Sequence, residues 1–376
     1  YMANINHLLN DGSQLADVLL TGAAAPRPDF VAYRQSFANV PGIPAGGGAR
    51  PAFINLFAPD FRVPTTWKFD ASYQKRLFAD RLTLGITGQY ADTRNLYRYY
   101  DLNLADPNFR LANEGDRPVF LPAAAGGLLN AQGNLAGTLE LRSDAAQHQK
   151  AGIVEAFLRL PRAASVGGSY TYNVTRDNNS YNCCIAVTSL FTPVAGSTRD
   201  LSWGFAANDF RHKVVLYGAL PQVWGVRLSG RYVGQSGAPF SLVVGRDINA
   251  DGFGPGGDFG NLNDLPFVFD WDSDATPAAL RDGLRTLAAN PRSLAGDALR
   301  ANRNGILPRN VLRNQFAHFL DLRLAATLPS VRGQRAELTL DVFNALSLMN
   351  RDWGGRWEVP GANQVLYRVT GFSPTT

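Results

Sequence analysis

Apolar and polar residues alternate with period two along long stretches of this chain, and that pattern leaves few folds open. In Thr65–Leu77, Trp67, Phe69, Ala71 and Tyr73 fall on one side, and Thr66, Lys68, Asp70, Ser72 and Gln74 on the other. Successive side chains of a strand point to opposite faces, so this segment reads as a strand with one apolar and one polar face. Leu82, Leu84, Ile86, Gly88 and Tyr90 repeat the pattern against Thr83, Thr87 and Gln89, and Val166, Gly168, Tyr170, Tyr172 and Val174 against Ser169, Thr171, Asn173 and Thr175. Val226, Leu228, Gly230 and Tyr232 alternate with Arg227, Ser229 and Arg231. Leu320, Leu322, Leu324 and Ala326 alternate with Asp321, Arg323 and Thr327, and Ala336, Leu338, Leu340 and Val342 with Glu337, Thr339 and Asp341. Less regular segments near Gln149–Leu160 and Phe210–Leu220 bring the predicted strands to eight.

The links carry a second regularity. Short ones (Phe78–Arg81, Pro161–Ala164, Pro221–Trp224, Pro329–Gly333) alternate with long ones near 104–147, 177–207, 246–314 and 347–362. Structureless links of that length are uncommon in compact domains. Transmembrane β-barrels, however, join their strands by short periplasmic turns and long extracellular loops. Segments of roughly 10–14 residues also exceed the ~5–6 of an ordinary strand and suit a tilted bilayer crossing of ~9–11. Opposite charges on the polar faces, such as Asp321 and Arg323, suit a wet lumen rather than a dry core. Trp67, Tyr90, Tyr217, Trp224 and Tyr232 stand near strand ends, where aromatic girdles form.

Composition agrees. Only 18% of the 376 residues are charged, yet mean hydropathy is −0.14, because uncharged polar residues and 37 glycines fill the gap. No window approaches ~18 consecutive apolar residues, which excludes a transmembrane helix. The abundance of aliphatic and aromatic residues argues against disorder. The net charge of +5 comes without the basic runs that track nucleic acid. Two regions interrupt the strand pattern. Pro277–Asn290 predicts a short loop helix, with Leu280, Leu284 and Leu287 spaced by four and three. Residues 1–64, rich in Pro and Gly clusters, read mainly as loop, with one short helix near Leu8–Leu20.

The run Phe61–Arg62–Val63–Pro64–Thr65–Thr66–Trp67 resembles the barrels of TonB-dependent outer-membrane receptors, most closely the Oar-like branch that carries a carboxypeptidase-regulatory-like domain. Gly234–Phe240, Asp247–Gly252, Asn263–Leu265, Arg309–Asn310, Leu320–Arg323, Leu340–Asn344 and Asp352–Gly354 follow in the order and spacing of the C-terminal part of such a barrel. The resemblance runs from about residue 55 to the end. It implies an all-β fold: an antiparallel transmembrane barrel segment, a partial barrel with long extracellular loops. Residues 1–64 would be an extracellular loop region preceding the strands, and 65–376 a partial barrel whose final strand is missing. The family's plug and TonB box are not visible, and barrels of this kind close with about 22 strands.

The sharpest local motif is Asp247-x-Asn249-x-Asp251-Gly252, with Asp258 at the twelfth position. Oxygen ligands at positions 1, 3 and 5 with Gly at 6 match the first half of a calcium loop. A polar turn capping a strand fits the same residues. Asp264 and Asp270 are further candidate ligands. Calcium aside, no cofactor is expected. Cys183 and Cys184 are adjacent, and His7, His148, His212 and His318 are scattered without metal spacing. Glu337 and Asp341 share a strand face at ~13 Å by strand rise, too far for a glycosidase pair. No nucleophile elbow or phosphate loop appears. Tyr97, Tyr99, Tyr100, Phe267, Phe269 and Trp271 in the long loops fit either ligand contact or loop packing.

The resemblance implies a non-enzymatic receptor in the outer membrane of a Gram-negative bacterium. It would take up an unidentified extracellular ligand, with TonB acting through a missing N-terminal part. The expected partners are outer-membrane lipid, TonB and that ligand, and not nucleic acid. A passive porin or adhesin barrel, or a secreted all-β binding protein, are the alternatives.

Overall fold

The computed structural model describes residues 54–102, 106–120, 138–180, 186–252, 262–328, 336–356 and 363–369, with short pieces at 17–18, 29–36 and 49–50 and a few single positions. Eight long strands build a wall. They are β1 (Thr65–Leu77), β2 (Leu82–Asp101), β3 (Thr138–Arg159), β4 (Ser165–Asp177), β5 (His212–Ala219), β6 (Val226–Gln235), β9 (Ala317–Thr327) and β10 (Glu337–Val342). Between β6 and β9 lie β7 (Pro239–Val244), helices α1 (Ala278–Ala289) and α2 (Gly296–Ala301), and β8 (Leu312–Arg313). Strand β11 (Asn363–Tyr367) follows the wall. Each wall strand pairs antiparallel with the next, and the order β10-β9-β6-β5-β4-β3-β2-β1 leaves β1 and β10 as open edges among the described residues. The sheet is therefore a barrel segment that does not close.

The turns at one end are tight. Arg162 and Ala163 both have φ of 57°, the left-handed pair that suits the twist of a two-residue hairpin. The β5–β6 turn ends on Trp224 and Gly225 at φ 50° and 81°. Four predicted turns thus fall at one end, and the long links fall at the other. Residues 329–332 of the last turn lie outside the described residues.

Register turns the sequence alternation into two faces. Across the sheet Tyr73, Ile86, Val154 and Tyr170 are neighbours, as are Leu84, Ala156, Gly168 and Leu216. The same face continues through Tyr232 and Leu320, and through Leu228, Leu324 and Leu340. Much of this face is exposed, Ile86 by 56% and Leu340 by 59%. A continuous apolar surface of this extent is what a bilayer covers. The opposite face carries Ser72, Thr87, Ser169, Lys213, Arg231, Asp321, Arg323 and Asp341. Cross-strand hydrogen bonds join Ser72 to Thr87 at 3.0 Å and Thr66 to Thr93 at 2.9 Å on this face.

Several expectations change. Strands β2 and β3 have 20 and 22 residues, so residues 138–147 of the expected 104–147 link are strand. At ~3.4 Å per residue they outreach a ~30 Å hydrocarbon layer. Their far halves carry Arg94 and Arg98 in β2, and Glu140, Arg142 and Asp144 in β3, because they stand beyond the lipid and pack against the loops, with Arg98, Tyr99, Leu139 and Leu141 buried. That is why the alternation fades. Tyr217 belongs to the polar face, beside Gly167 and Arg231, and stacks on Phe157 with centroids 6.3 Å apart; it is not a girdle residue. Trp67, Tyr90 and Tyr232 do lie on the apolar face near the extracellular end, and Trp224 projects 98% exposed from the opposite turn. Of the expected helix near Leu8–Leu20, only Asp17–Val18 are described, and they pair as strand with Ala49–Arg50. The short helix Phe30–Gln35, capped by the Asp29 carboxylate at Val31 and Ala32, was not foreseen.

Candidate functional site

Above the wall the long links fold into a packed extracellular collar. Strand β7 pairs antiparallel with β8 and parallel with β11, which brings distant parts of the chain into one small sheet. Against it packs a core of Phe240, Leu242, Val268, Trp271, Leu284 and Leu299. Helix α1 forms as the Pro277 start and leucine spacing predict, with Pro277 and Asn290 as its caps. Its buried residues are Leu284 and Ala288, with Leu280 packed beside them; Leu287 stays 36% exposed. The buried face thus follows i, i+4, i+8 rather than the leucines alone.

Arginines tie the collar to the strand extensions. Arg309, almost fully buried, donates to the Asp177 carboxylate, to the Asp177 carbonyl at 2.6 Å and to Ser180 Oγ at 2.7 Å. Arg313 and Arg211 both donate to the Asp209 carboxylate, which also accepts from the Thr175 N–H at 2.7 Å. Arg117 donates to the Leu265 and Ala195 carbonyls at 2.6 and 2.9 Å and to Glu114 at 3.2 Å. The sequence motif Arg309–Asn310 was a family-like marker; its structural work is this clamp, with Asn310 donating to the Phe205 carbonyl at 2.7 Å. Buried arginines of this kind satisfy several acceptors through one planar fork.

The loop aromatics pack the collar. Tyr99 is 1% exposed against Leu139, Leu141 and Leu190, and Phe267 and Trp271 are buried in the collar. Phe269 packs on the same core, Tyr97 stacks on Phe61 at 5.7 Å, and the Arg142 guanidinium lies 3.6 Å from the Tyr100 ring centroid. Packing, the second of the two sequence readings, accounts for these contacts.

On the polar face near the tight turns, a cavity of about 360 Å³ is lined by Gln74, Arg76, Thr83, Glu155, Arg159 and Tyr217. No sequence motif marks it, since its residues, Ser169 of β4 among them, come from five strands. Glu337 and Asp341 do not face one another as a pair; Asp341 instead accepts from Arg323 Nε at 2.6 Å and Nη2 at 2.9 Å.

The Asp247–Gly252 loop is mostly buried, with Asp247 itself half-buried. Asp247 accepts from the Ala250 and Gly252 N–H groups at 2.6 and 3.0 Å, and Asn249 accepts from Asp251 N–H at 3.0 Å. Asp251 accepts from the Thr198 N–H at 3.1 Å, and Asp264 from Ile248 N–H at 3.0 Å. Burial drives the Asp247 pKa up to about 6, against the opposing pull of four backbone N–H groups. Burial and the charges of Asp251 and Asp247 push Asp264 well above the usual carboxylate range. Asp258 lies outside the described residues, as do Cys183 and Cys184. Asp270 stands apart, paired with Arg303. Among the described residues no three His, Cys, Asp or Glu side chains are grouped closely enough to hold a metal as they stand. His148, His212 and His318 are engaged with Asp92, Tyr170 and Tyr232 respectively, at 2.9, 2.7 and 2.6 Å.

No curated protein matches the chain. Among solved structures it is similar to the outer membrane transporter YddB from Escherichia coli, with a TM-score of 0.43 and 9% identity over 78% of this chain. The aligned part spans 30% of that transporter's chain. The family model for an outer membrane beta barrel domain matches residues 9–351, across both the wall and the collar. The chain therefore belongs to the outer membrane β-barrel domain family and is an outer-membrane protein.

Proposed function

We propose that this chain forms part of the wall and the extracellular collar of a TonB-dependent receptor of the Oar-like branch. The observation that carries this reading is a folded collar, cross-tied by Arg98, Arg117, Arg309 and Arg313, standing over a polar lumen face. A passive pore gains nothing from so much ordered structure above its mouth, whereas a receptor that captures a dilute ligand needs a preorganised surface. The resemblance of Phe61–Trp67 and of the later motifs points the same way. In this account the collar gathers an extracellular ligand, and the polar face surrounds a plug domain that TonB pulls upon. The chain's residues bind and orient, and none performs covalent chemistry.

Cross-linking in intact cells separates the readings. Recovery of TonB with the intact protein, together with an electrically closed channel in planar bilayers, supports the receptor. Absence of TonB with a steadily conducting channel would establish a passive porin instead.

A further inference from the structure

Two cations stand on the lipid-facing side of the wall without an acid to pair them. Register places Lys150 on the apolar face between Tyr90 and Val174, and Arg176 beside His148, one step further toward the long loops. Both residues are exposed, and among the described residues neither forms an ion pair; Arg176 rests over the Phe205 ring at 5.6 Å. Their positions are diagonal across β3 and β4, which sets their Cα atoms ~7–8 Å apart. Asp92, the acid of the same face, is already held by Arg94 at 3.0 Å and by His148 at 2.9 Å. Like charges this close on one face repel unless an anion lies between them.

From Lys150 toward the membrane centre the same face is hollow. A groove of about 450 Å³ runs between Phe69, Tyr90, Tyr172 and Val174, over Gly88 and Gly152, with Lys150 at its edge. A Cβ built on either glycine would meet nothing within 4 Å, so no side chain of the wall fills the space.

We propose that this patch holds an anionic glycolipid of the outer leaflet, with a phosphate between Lys150 and Arg176 and an acyl chain in the groove. The order of the features is that of the lipid. Charge lies toward the long extracellular loops and the apolar hollow toward the membrane centre. Trp67, Phe69 and Tyr90 stand at the height of the charges, where aromatic girdles meet head groups. Arg offers phosphate a planar fork of donors, and Lys offers a point charge on a flexible stem. The extracellular leaflet of an outer membrane is built of phosphorylated glycolipid, so the counter-charge missing from the protein is present in the lipid at that height. Binding neutralises both cations, fills the hollow and leaves the lumen face free.

The test is native mass spectrometry of the intact protein, delipidated in a mild detergent and then offered bis-phosphorylated lipid A. The lipid should be retained, and its fully dephosphorylated form should bind about tenfold more weakly or worse, as loss of charge-assisted contacts requires. The double variant Lys150→Gln/Arg176→Gln should lose that preference. Gly152→Leu, which the open space above the glycine admits, should weaken retention by filling the groove, while Arg231→Gln on the lumen face should change nothing. Equal retention of the phosphorylated and dephosphorylated forms by the unaltered protein would overturn the proposal, and that arm needs no variant to fold. Unchanged retention in the folded double variant would overturn it too. Inorganic phosphate or phosphatidylglycerol bound as tightly as lipid A would also contradict it, by showing a site for any anion or any acidic lipid.

Discussion

Arg98 donates from Nε and Nη2 to the two carboxylate oxygens of Asp144, at 2.7 and 2.8 Å, and from Nη1 to the Arg199 carbonyl at 2.8 Å. One planar side chain thereby joins the extension of β2, that of β3 and the loop after β4. Burial alone would raise the Asp144 pKa, but the Arg98 hydrogen bonds and charge outweigh it and hold it below the ordinary 3.8. This stabilisation is complete above that value and is lost as pH falls through the lower folded-state pKa. Arg98→Ala should loosen the strand extensions by about 1–2 kcal/mol, discounted because Asp144 is half exposed. Hydrogen exchange at Leu139–Asp144 should report it, with Leu158–Arg159 unchanged.

Asp247 titrates in the opposite sense. Its folded-state pKa of about 6 exceeds the ordinary 3.8, so its contribution is complete below pH ~3.8 and is lost as pH rises through about 6. Its charge acts on that of Asp264, which in turn faces Asp251 and Arg117. Collar stability should therefore fall between pH 4 and 6, and Asp247→Asn should flatten that slope. Proteolysis rates across this range measure it.

The Arg309–Asp177 pair is buried on both sides. Asp177→Asn leaves the guanidinium buried without its counter-charge, and breaking such a pair costs ~3–5 kcal/mol. The expected outcome is a collar that is cleaved early while the wall persists. A variant with wild-type collar resistance would show that the clamp contributes little.

Leu284 fills the centre of the collar core at 2% exposure. Truncation to Ala should cost ~2–5 kcal/mol there. Leu287→Ala, on the exposed side of the same helix, should cost under ~1 kcal/mol. Comparing collar exchange rates in the two variants distinguishes the faces.

The wall was legible because one physical pattern, lipid on one side and water on the other, writes itself into alternate residues of Thr65–Leu77 or Ala317–Thr327. Helix α1 was legible from Pro277 and its leucines. The collar was much less so. There β2 and β3 leave the lipid and pack against loops, so the alternation ends and Arg98 and Asp144 look like loop charges. Arg117, Arg309 and their acceptors lie up to 148 positions apart, and no local spacing reveals such pairs. Tyr217 was misplaced for a related reason: an aromatic near a strand end looks the same from either face until register is known. The Asp247 motif was visible, but the buried Asp264 oxygen beside it required the fold.

The central claim is that β6 and β9 separate lipid from water. Single cysteines placed in turn at 226–233 and 319–327, in the intact protein lacking Cys183 and Cys184, test it through labelling by a membrane-impermeant thiol reagent. The account predicts alternation: Arg227, Ser229 and Arg231 positions, with Asp321 and Arg323, label from the aqueous side, while Leu228, Gly230, Leu322 and Leu324 positions resist until detergent strips the lipid. Uniform labelling of both sets in native membranes would contradict it.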